Sequence, residues 1–143
     1  MIQILTHNDT ETEQAGGQLA SRLSPGAVVA FTGDLGAGKT AFCRGFLHAL
    51  GYTGRVTSPT FAIVNEYETE LCRVCHFDMY RILDEDELYD IGWDDYFDGD
   101  TILLVEWSEN VSGAMPEDCI TVDIRRGEAE DDRIITIKGG ELH

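Results

Sequence analysis

Basic residues are scarce in this sequence. It contains 10 lysines and arginines against 27 aspartates and glutamates, which gives a formal net charge of −17. A surface of that sign repels polyanions, so we do not expect the protein to wrap nucleic acid directly through a basic face. The acids are concentrated in two runs, DEDELYDIGWDDYFDGD and GEAEDD. These runs serve either solubility or the docking of a basic partner.

Long apolar runs are also missing. No stretch approaches the roughly 18 apolar residues of a membrane span, and the start MIQILTHNDTETE lacks the basic residues and apolar stretch of an export signal. These absences predict a cytoplasmic protein without a membrane role. The four cysteines are then expected to be reduced thiols. A chain of 143 residues with 43% hydrophobic content suits one globular domain over residues 1–143.

The stretch GDLGAGKT, residues 33–40, matches the pattern G-x-x-x-x-G-K-[ST] in full. Its glycines let successive N–H groups converge on phosphate oxygens. Lys39 supplies a charge to the β- and γ-phosphates, and the Thr40 hydroxyl can bind Mg²⁺. The apolar run AVVAFT precedes this loop, and Cys43, Phe46, Leu47 and Leu50 follow it at helical spacing. This strand–loop–helix context predicts a site for a nucleoside triphosphate.

A phosphate loop of this kind needs an acid at the end of a neighbouring buried strand to hold magnesium. The strand ILLVE ends in Glu106, so Glu106 is the candidate, together with Thr40. Glutamate is one methylene longer than the usual aspartate and is suited to act through a water.

The remaining pattern predicts an α/β fold: a P-loop NTPase-like domain of three layers around a mixed, partly antiparallel sheet. FAIVNEY and LCRVCHFD are separated by a short polar link, which favours an antiparallel hairpin. RIITIK is expected to pair with the alternating segment around 120–124. A capping box, Thr10-x-x-Glu13, is expected to start the first helix. Asp84-x-x-Glu87 is expected to cap another helix that carries Leu88, Ile91 and Tyr96.

The spacing Cys72-x-x-Cys75-His76 is that of a c-type haem attachment site. On a strand, however, cysteines three residues apart point to opposite faces and cannot hold one ligand. We therefore expect neither haem nor zinc here. The strand instead brings Asp78 and His76 to one face near its end.

In this order, GDLGAGKT, TSPTF, HFDMYR and VEW make the chain resemble the TsaE family, formerly YjeE, over essentially its whole length. These are small bacterial P-loop ATPases required for the threonylcarbamoyladenosine modification of tRNA. The resemblance implies an ATPase that uses ATP and Mg²⁺ and works with partners resembling TsaB and TsaD, reaching tRNA only through that complex. It also implies weak turnover in the isolated protein and stimulation by partners.

Carried over by position, the resemblance implies that Lys39, Asp78 and Thr60 serve catalysis, and that Thr40 and Glu106 share Mg²⁺. Trp107 is implied to lie beside the site. Either Asp78 or Thr60 could orient the attacking water. The nucleotide-binding residues are the loop and the first turn of its helix: Gly33, Asp34, Leu35, Gly36, Ala37, Gly38, Lys39, Thr40 and Ala41.

Two other functions are open at this point. A small-molecule kinase would need an acceptor pocket and an arginine-rich lid, which is hard to find with 10 basic residues. A nucleotide-dependent docking switch without obligatory hydrolysis would need fewer acids than Glu106 and Asp78 supply. No arginine is assigned to the phosphates, since Arg44, Arg55 and Arg133 are expected to be solvated surface residues.

Overall fold

The protein is built around one seven-stranded sheet. The structure is a computed structural model and describes residues 1–33, 38–57 and 63–139. Its strands are β1 Ile2–Thr6, β2 Val28–Gly33, β3 Val64–Glu68, β4 Arg73–Asp78, β5 Thr101–Glu106, β6 Ile120–Arg126 and β7 Arg133–Lys138. Its helices are α1 Asp9–Ala20, α2 Lys39–Ala49 and α3 Glu87–Asp90, with 3₁₀ segments at Trp93–Tyr96 and Ser108–Ala114.

The strand order is β1-β7-β6-β2-β5-β4-β3. The four inner strands β6, β2, β5 and β4 are parallel to one another. Strands β1, β7 and β3 are added antiparallel at the two sides. The apolar run of β5 is buried at all six of its positions, as expected for a parallel strand covered on both faces. The predicted mixed sheet is confirmed.

Both predicted hairpins are present. In the β3–β4 pair Val64 lies opposite Phe77, and in the β6–β7 pair Ile124 lies opposite Ile135. Each pair follows from a short connection between two apolar segments, because only antiparallel strands can be joined so briefly.

Two apolar layers cover the sheet, one on each face. On one face α1 and α2 pack over Val29, Phe31, Val74 and Leu104. On the other, α3 and the two 3₁₀ segments cover Cys75, Phe77, Leu103 and Val105. The predicted three-layer arrangement is thus confirmed, with a thinner second helical layer.

Close packing of α1 on α2 depends on two glycines. A Cβ on Gly45 would collide with the carbonyl oxygen of Glu13, and a Cβ on Gly16 with that of Phe42. The two helices therefore pack with their backbones in close contact at these glycines, which fixes the position of α2 against α1.

The capping box expected at Thr10 and Glu13 is wrong, because the helix begins earlier. Asn8 is the N-cap and its Oδ1 accepts from the N–H of Glu11 at 2.9 Å. The Glu11 carboxylate accepts in return from the N–H of His7 at 3.0 Å. Asn8 and Glu11 thus hold the start of the helix two residues upstream, although Glu11 reaches the residue before the N-cap and not the N-cap itself. Glu13 pairs with Arg44 instead.

The helix expected from residue 84 to Tyr96 is interrupted. α3 spans only Glu87–Asp90, and Gly92 adopts a left-handed conformation with φ of 71° before the 3₁₀ segment Trp93–Tyr96 begins. The carboxylate of Glu87 does reach back to the N–H groups of Leu83 and Asp84. The N-cap is nevertheless Asp86 and makes no side-chain capping bond, so the expected cap at Asp84 is wrong. The left-handed conformation of Gly92, which glycine adopts readily, separates α3 from the 3₁₀ segment.

Parallel strands place their carboxyl ends at one edge of the sheet. β2, β4, β5 and β6 all end there, at Gly33, Asp78, Glu106 and Arg126. Within the described ranges no helix has the length and apolar character that crossing a bilayer requires.

Candidate nucleotide site at the carboxyl edge of the sheet

The motif GDLGAGKT joins β2 to α2. β2 ends at Gly33 with φ of 112°, and Gly38 caps α2 in the left-handed region with φ of 94°. Both conformations favour glycine. The helix begins at Lys39. This is expected of a phosphate-binding loop, because the N-terminus of the following helix attracts the phosphate anion. The intervening residues Asp34, Leu35, Gly36 and Ala37 lie outside the described residues, as does Thr60.

A cavity of about 470 Å³ opens at this edge. Its walls combine the start of α2 with residues from the ends of β4 and β5. The residues predicted from sequence that line it are Gly38, Lys39, Thr40, Ala41, Asp78, Glu106 and Trp107. Residues that are distant in the chain are thus brought to one cavity by the parallel order of the strands.

Asp78 and Glu106 are neighbours across the sheet. They are register partners at the carboxyl ends of β4 and β5. Oδ1 of Asp78 accepts from the N–H of Tyr80 at 2.9 Å, a local turn that holds this carboxylate at the cavity wall. Glu106 is 7% exposed, so its charge is largely removed from solvent.

Glu106 also has a partner beneath the cavity. His76 is completely buried on β4, and its Nε2 lies 2.7 Å from Oε2 of Glu106. Sequence reasoning placed His76 on the face of Asp78 but did not assign this bond. It depends on the pairing of β4 with β5, which the sequence of neither strand specifies.

Trp107 lies at the turn directly after Glu106. It is a non-glycine residue with positive φ, 57°, a conformation that costs a residue with a side chain about 1–2 kcal/mol. The Lys39 Nζ lies 5.5 Å from the centre of the Trp107 ring, within the range of a cation–π contact. The strained turn therefore places the ring beside the lysine of the loop.

Two arginines expected at the solvated surface line the cavity. Arg44 pairs with Glu13 at 2.9 Å, and Arg133 donates from Nη1 to the carbonyls of Glu130 and Asp132, each at 2.8 Å. Nε of Arg133 is buried, with no hydrogen-bond partner among the described residues. Arg133 is the first residue of β7, antiparallel to β6, so it starts at the edge where β6 ends. The side chain of Arg44 is still 37% exposed, as expected of a surface residue. Arg133 is part-buried, so the prediction of a solvated position was wrong for Arg133.

A histidine–carboxylate pair includes Asp132, the residue between the two cavity-lining residues Asp131 and Arg133. Nδ1 of His7 lies 2.9 Å from Oδ1 of Asp132, joining the start of α1 to the turn between β6 and β7. This hydrogen bond raises the pKa of His7 and lowers the pKa of Asp132. Asp9 and Asp131 line the cavity beside this pair.

The cysteines take no part in the cavity. Cys72 packs on the layer under α1 and α2, whereas Cys75 packs on the opposite face, which confirms that the two thiols diverge. All four cysteines of the chain are free. Burial raises the pKa of Cys75 to about 11 and, with the Glu106 carboxylate, holds the pKa of Cys43 well above its usual value. These thiols are therefore protonated near neutral pH and behave as small apolar groups.

The donor set of the cavity fits magnesium. It offers the hydroxyl of Thr40 and the carboxylate of Glu106, and hard cations prefer such oxygen ligands. Among the described residues no three acidic, histidine or cysteine side chains converge closely enough to hold a metal by themselves. Magnesium of this type is held by one or two protein oxygens and completed by phosphates and water.

A buried parallel strand that leads through a glycine loop into a helix, with acids ending the neighbouring strands, defines a P-loop NTPase-like protein. The particular family follows from comparison. The family model of the threonylcarbamoyl adenosine biosynthesis protein TsaE matches residues 6–135, and the chain belongs to this family.

Relatives agree with this assignment. The chain is 41% identical to the tRNA threonylcarbamoyladenosine biosynthesis protein TsaE of Bacillus subtilis over 131 residues, which cover 92% of this chain and 81% of that protein. It is 47% identical to the protein of the same name from Haemophilus influenzae over 97 residues, 68% of this chain and 61% of that protein. The crystal structure of Bacillus subtilis YdiB superposes with a TM-score of 0.80 at 34% identity, covering 98% of this chain and 86% of YdiB.

Proposed function

We propose that this protein binds ATP with Mg²⁺ in the cavity at the carboxyl edge of the sheet and hydrolyses it. The observation that carries the proposal is the convergence of Lys39, Thr40, Asp78 and Glu106 on one cavity. A module that only binds nucleotide needs Lys39 and Thr40, whereas hydrolysis also needs acidic residues beside them. We propose that residues 1–143 form a single domain, supported by the pairing of β1 with β7.

The roles follow from position. Backbone N–H groups of residues 33–41 would surround the phosphates, and Lys39 would neutralise the β- and γ-phosphate charge. Thr40 and Glu106 would hold the metal, which when bound neutralises the charge that develops on the phosphates. Phosphoryl transfer to water needs little more than such positioning and charge neutralisation.

Asp78 is the better-supported candidate for orienting the attacking water. Its carboxylate lines the cavity next to Glu106, and Oδ1 is held by the Tyr80 N–H. Thr60 is kept as the alternative that the resemblance implies. A water-orienting acid must lie within hydrogen-bond reach of the nucleophile, so a nucleotide-bound structure decides between them.

We propose that turnover is weak in the isolated protein and is raised by partners. The described bonds of the two cavity arginines go to groups of this chain: Arg44 to Glu13, and Arg133 to the carbonyls of Glu130 and Asp132. Stabilisation of the transferring phosphoryl group by arginine is worth about 10³–10⁵ in rate where it is supplied. A docked partner could supply such an arginine, or could turn Arg44 and Arg133 toward the phosphates.

The biological setting is that of the family. We propose that the protein acts in threonylcarbamoyladenosine modification of tRNA, in the cytoplasm, together with partners resembling TsaB and TsaD. A net charge of −17 favours docking onto basic protein surfaces and disfavours direct contact with tRNA. The protein would therefore reach tRNA through its partners.

The deciding experiment measures ADP release by the protein alone, with the two partners, and with partners plus tRNA. The test variant is Lys39→Ala and its matched control is Lys138→Ala, the other lysine of the chain, exposed at the end of β7. We expect stimulation by the partners in wild type and K138A, and its loss in K39A.

Two outcomes would replace the proposal. ADP release that depends on a small-molecule acceptor and not on the partners indicates a kinase. A Glu106→Ala variant that no longer hydrolyses ATP but still supports tRNA modification indicates a docking switch.

A further inference from the structure

His76 is a buried polar residue whose side chain makes one polar contact within the described part of the chain. Its side chain is 0% exposed and lies on the same face of β4 as Val74, the face covered by α1 and α2. Its Nε2 lies 2.7 Å from Oε2 of Glu106. Its other ring nitrogen, Nδ1, is buried with no hydrogen-bond partner among the described residues.

The direction of this bond is set by chemistry. A carboxylate that binds a metal must be ionised and then has only acceptor oxygens, so in that state Nε2 of His76 carries the hydrogen and donates it. A buried Nδ1 without a partner among the described residues costs stability that an apolar side chain of similar volume would avoid. Core packing alone therefore explains poorly why this position is a histidine. A role as the hydrogen-bond donor to Glu106 explains it.

We propose that His76 is a positioning residue for metal binding: it fixes the Glu106 carboxylate by holding Oε2, so that Oε1 is available to Mg²⁺ directly or through water. This rests on the proposed function, since it assigns His76 to the same metal site. Partners that orient a metal-binding carboxylate in this way are worth roughly 10–100-fold in metal affinity.

The length of glutamate explains why such a residue is needed. Glu106 has one more rotatable bond than an aspartate at the same strand end, so an unheld carboxylate would sample several rotamers. β4 delivers both His76 and Asp78 to the same face two residues apart. One strand thus supplies the residue that holds Glu106 and the acid beside it.

Two variants separate positioning from packing. His76→Leu keeps an apolar side chain of comparable size and removes the donor. His76→Gln places an amide N–H close to the position of Nε2. Fluorescent mant-ADP binding is measured with EDTA and then across a series of Mg²⁺ concentrations, with thermal unfolding recorded for each variant.

We expect His76→Leu to raise the Mg²⁺ concentration for half-maximal tightening of mant-ADP by roughly 10–100-fold, and His76→Gln to restore it to within about 3-fold of wild type. The dissociation constant in EDTA should stay within about 2-fold in both, since the metal-free contacts are untouched. A packing role alone would change thermal unfolding without shifting the Mg²⁺ midpoint.

A His76→Leu variant that is folded and has the wild-type Mg²⁺ midpoint overturns this inference and leaves the proposed function intact. A wild-type protein whose mant-ADP binding ignores Mg²⁺ overturns both. Should the variants fail to fold, NMR of ¹⁵N-histidine-labelled wild type decides. The His76 Nε2–H resonance is expected to shift when Mg²⁺ is added to the ADP-bound protein, and a resonance that does not move overturns the inference.

Discussion

Gly33, the first glycine of the phosphate loop, offers a sharp test of how the site is built. In sequence its role is to let the loop curl around phosphate. In the structure it also has positive φ, 112°, and a Cβ at this position would collide with the carbonyl oxygen of Ile124 on β6. Gly33 is therefore required by the packing of β2 against β6, before any nucleotide binds.

The expected cost of Gly33→Ala has two parts. Positive φ costs an alanine about 1–2 kcal/mol, and separating the two strands to relieve the collision costs about 1–3 kcal/mol more, as at other overpacked sites. Gly99 is the matched control, because it also has positive φ, 80°, but nothing lies within 4 Å of its Cβ position. We expect Gly99→Ala to lose only about 1–2 kcal/mol.

Urea unfolding of the nucleotide-free protein, followed by tryptophan fluorescence, measures both changes, provided that the slope with denaturant is unaltered. The difference between the two variants isolates the collision from the backbone strain. If Gly33→Ala is as stable as Gly99→Ala to within about 0.5 kcal/mol, β6 does not require the glycine and the reasoning is refuted.

Three further predictions concern the acid, the His7–Asp132 pair and the thiols. Asp78→Asn is expected to slow hydrolysis by roughly 10²–10⁴-fold with unchanged affinity for Mg²⁺·ADP; near-normal hydrolysis would favour Thr60. Asp132 raises the pKa of His7, and His7 lowers the pKa of Asp132. The pair therefore contributes its full stabilisation between the ordinary pKa values of 3.8 and 6.5. That stabilisation is lost as pH rises through the raised pKa of His7. His7→Gln should therefore lower the thermal midpoint at pH 5.5 and match wild type at pH 9; equal midpoints at pH 5.5 would contradict the pairing. Cys43, fully buried, should resist a thiol reagent in the native protein while half-buried Cys119 reacts, with full reaction of both in urea as the control.

Much of the fold followed from local pattern. The apolar run before the phosphate loop, the helix after it and the two hairpins were all predicted, because burial on both faces and short connections leave few alternatives. Element starts were less secure: the first helix is capped by Asn8 rather than Thr10. Several residues in that segment can act as caps, and neighbouring contacts decide which one does.

The site was predicted in part for the same reason. Lys39 and Thr40 are set by a contiguous motif, and Glu106 and Asp78 follow from the rule that parallel strands end at one edge. Arg133 and the His76–Glu106 bond were missed. The first required knowing that β7 runs antiparallel to β6, and the second that β4 lies directly beside β5.

By itself the sequence determined the chemistry available: a glycine loop with Lys39 and Thr40, acids at strand ends, and thiols that a strand turns to opposite faces. These depend on spacing along the chain, which the backbone geometry of one strand or helix converts directly into direction. Only the tertiary structure decided which strands are neighbours, and so which side chains from distant segments meet. The pairing of β4 with β5 placed the buried His76 beside Glu106. The pairing of β2 with β6 left no room for a Cβ at Gly33.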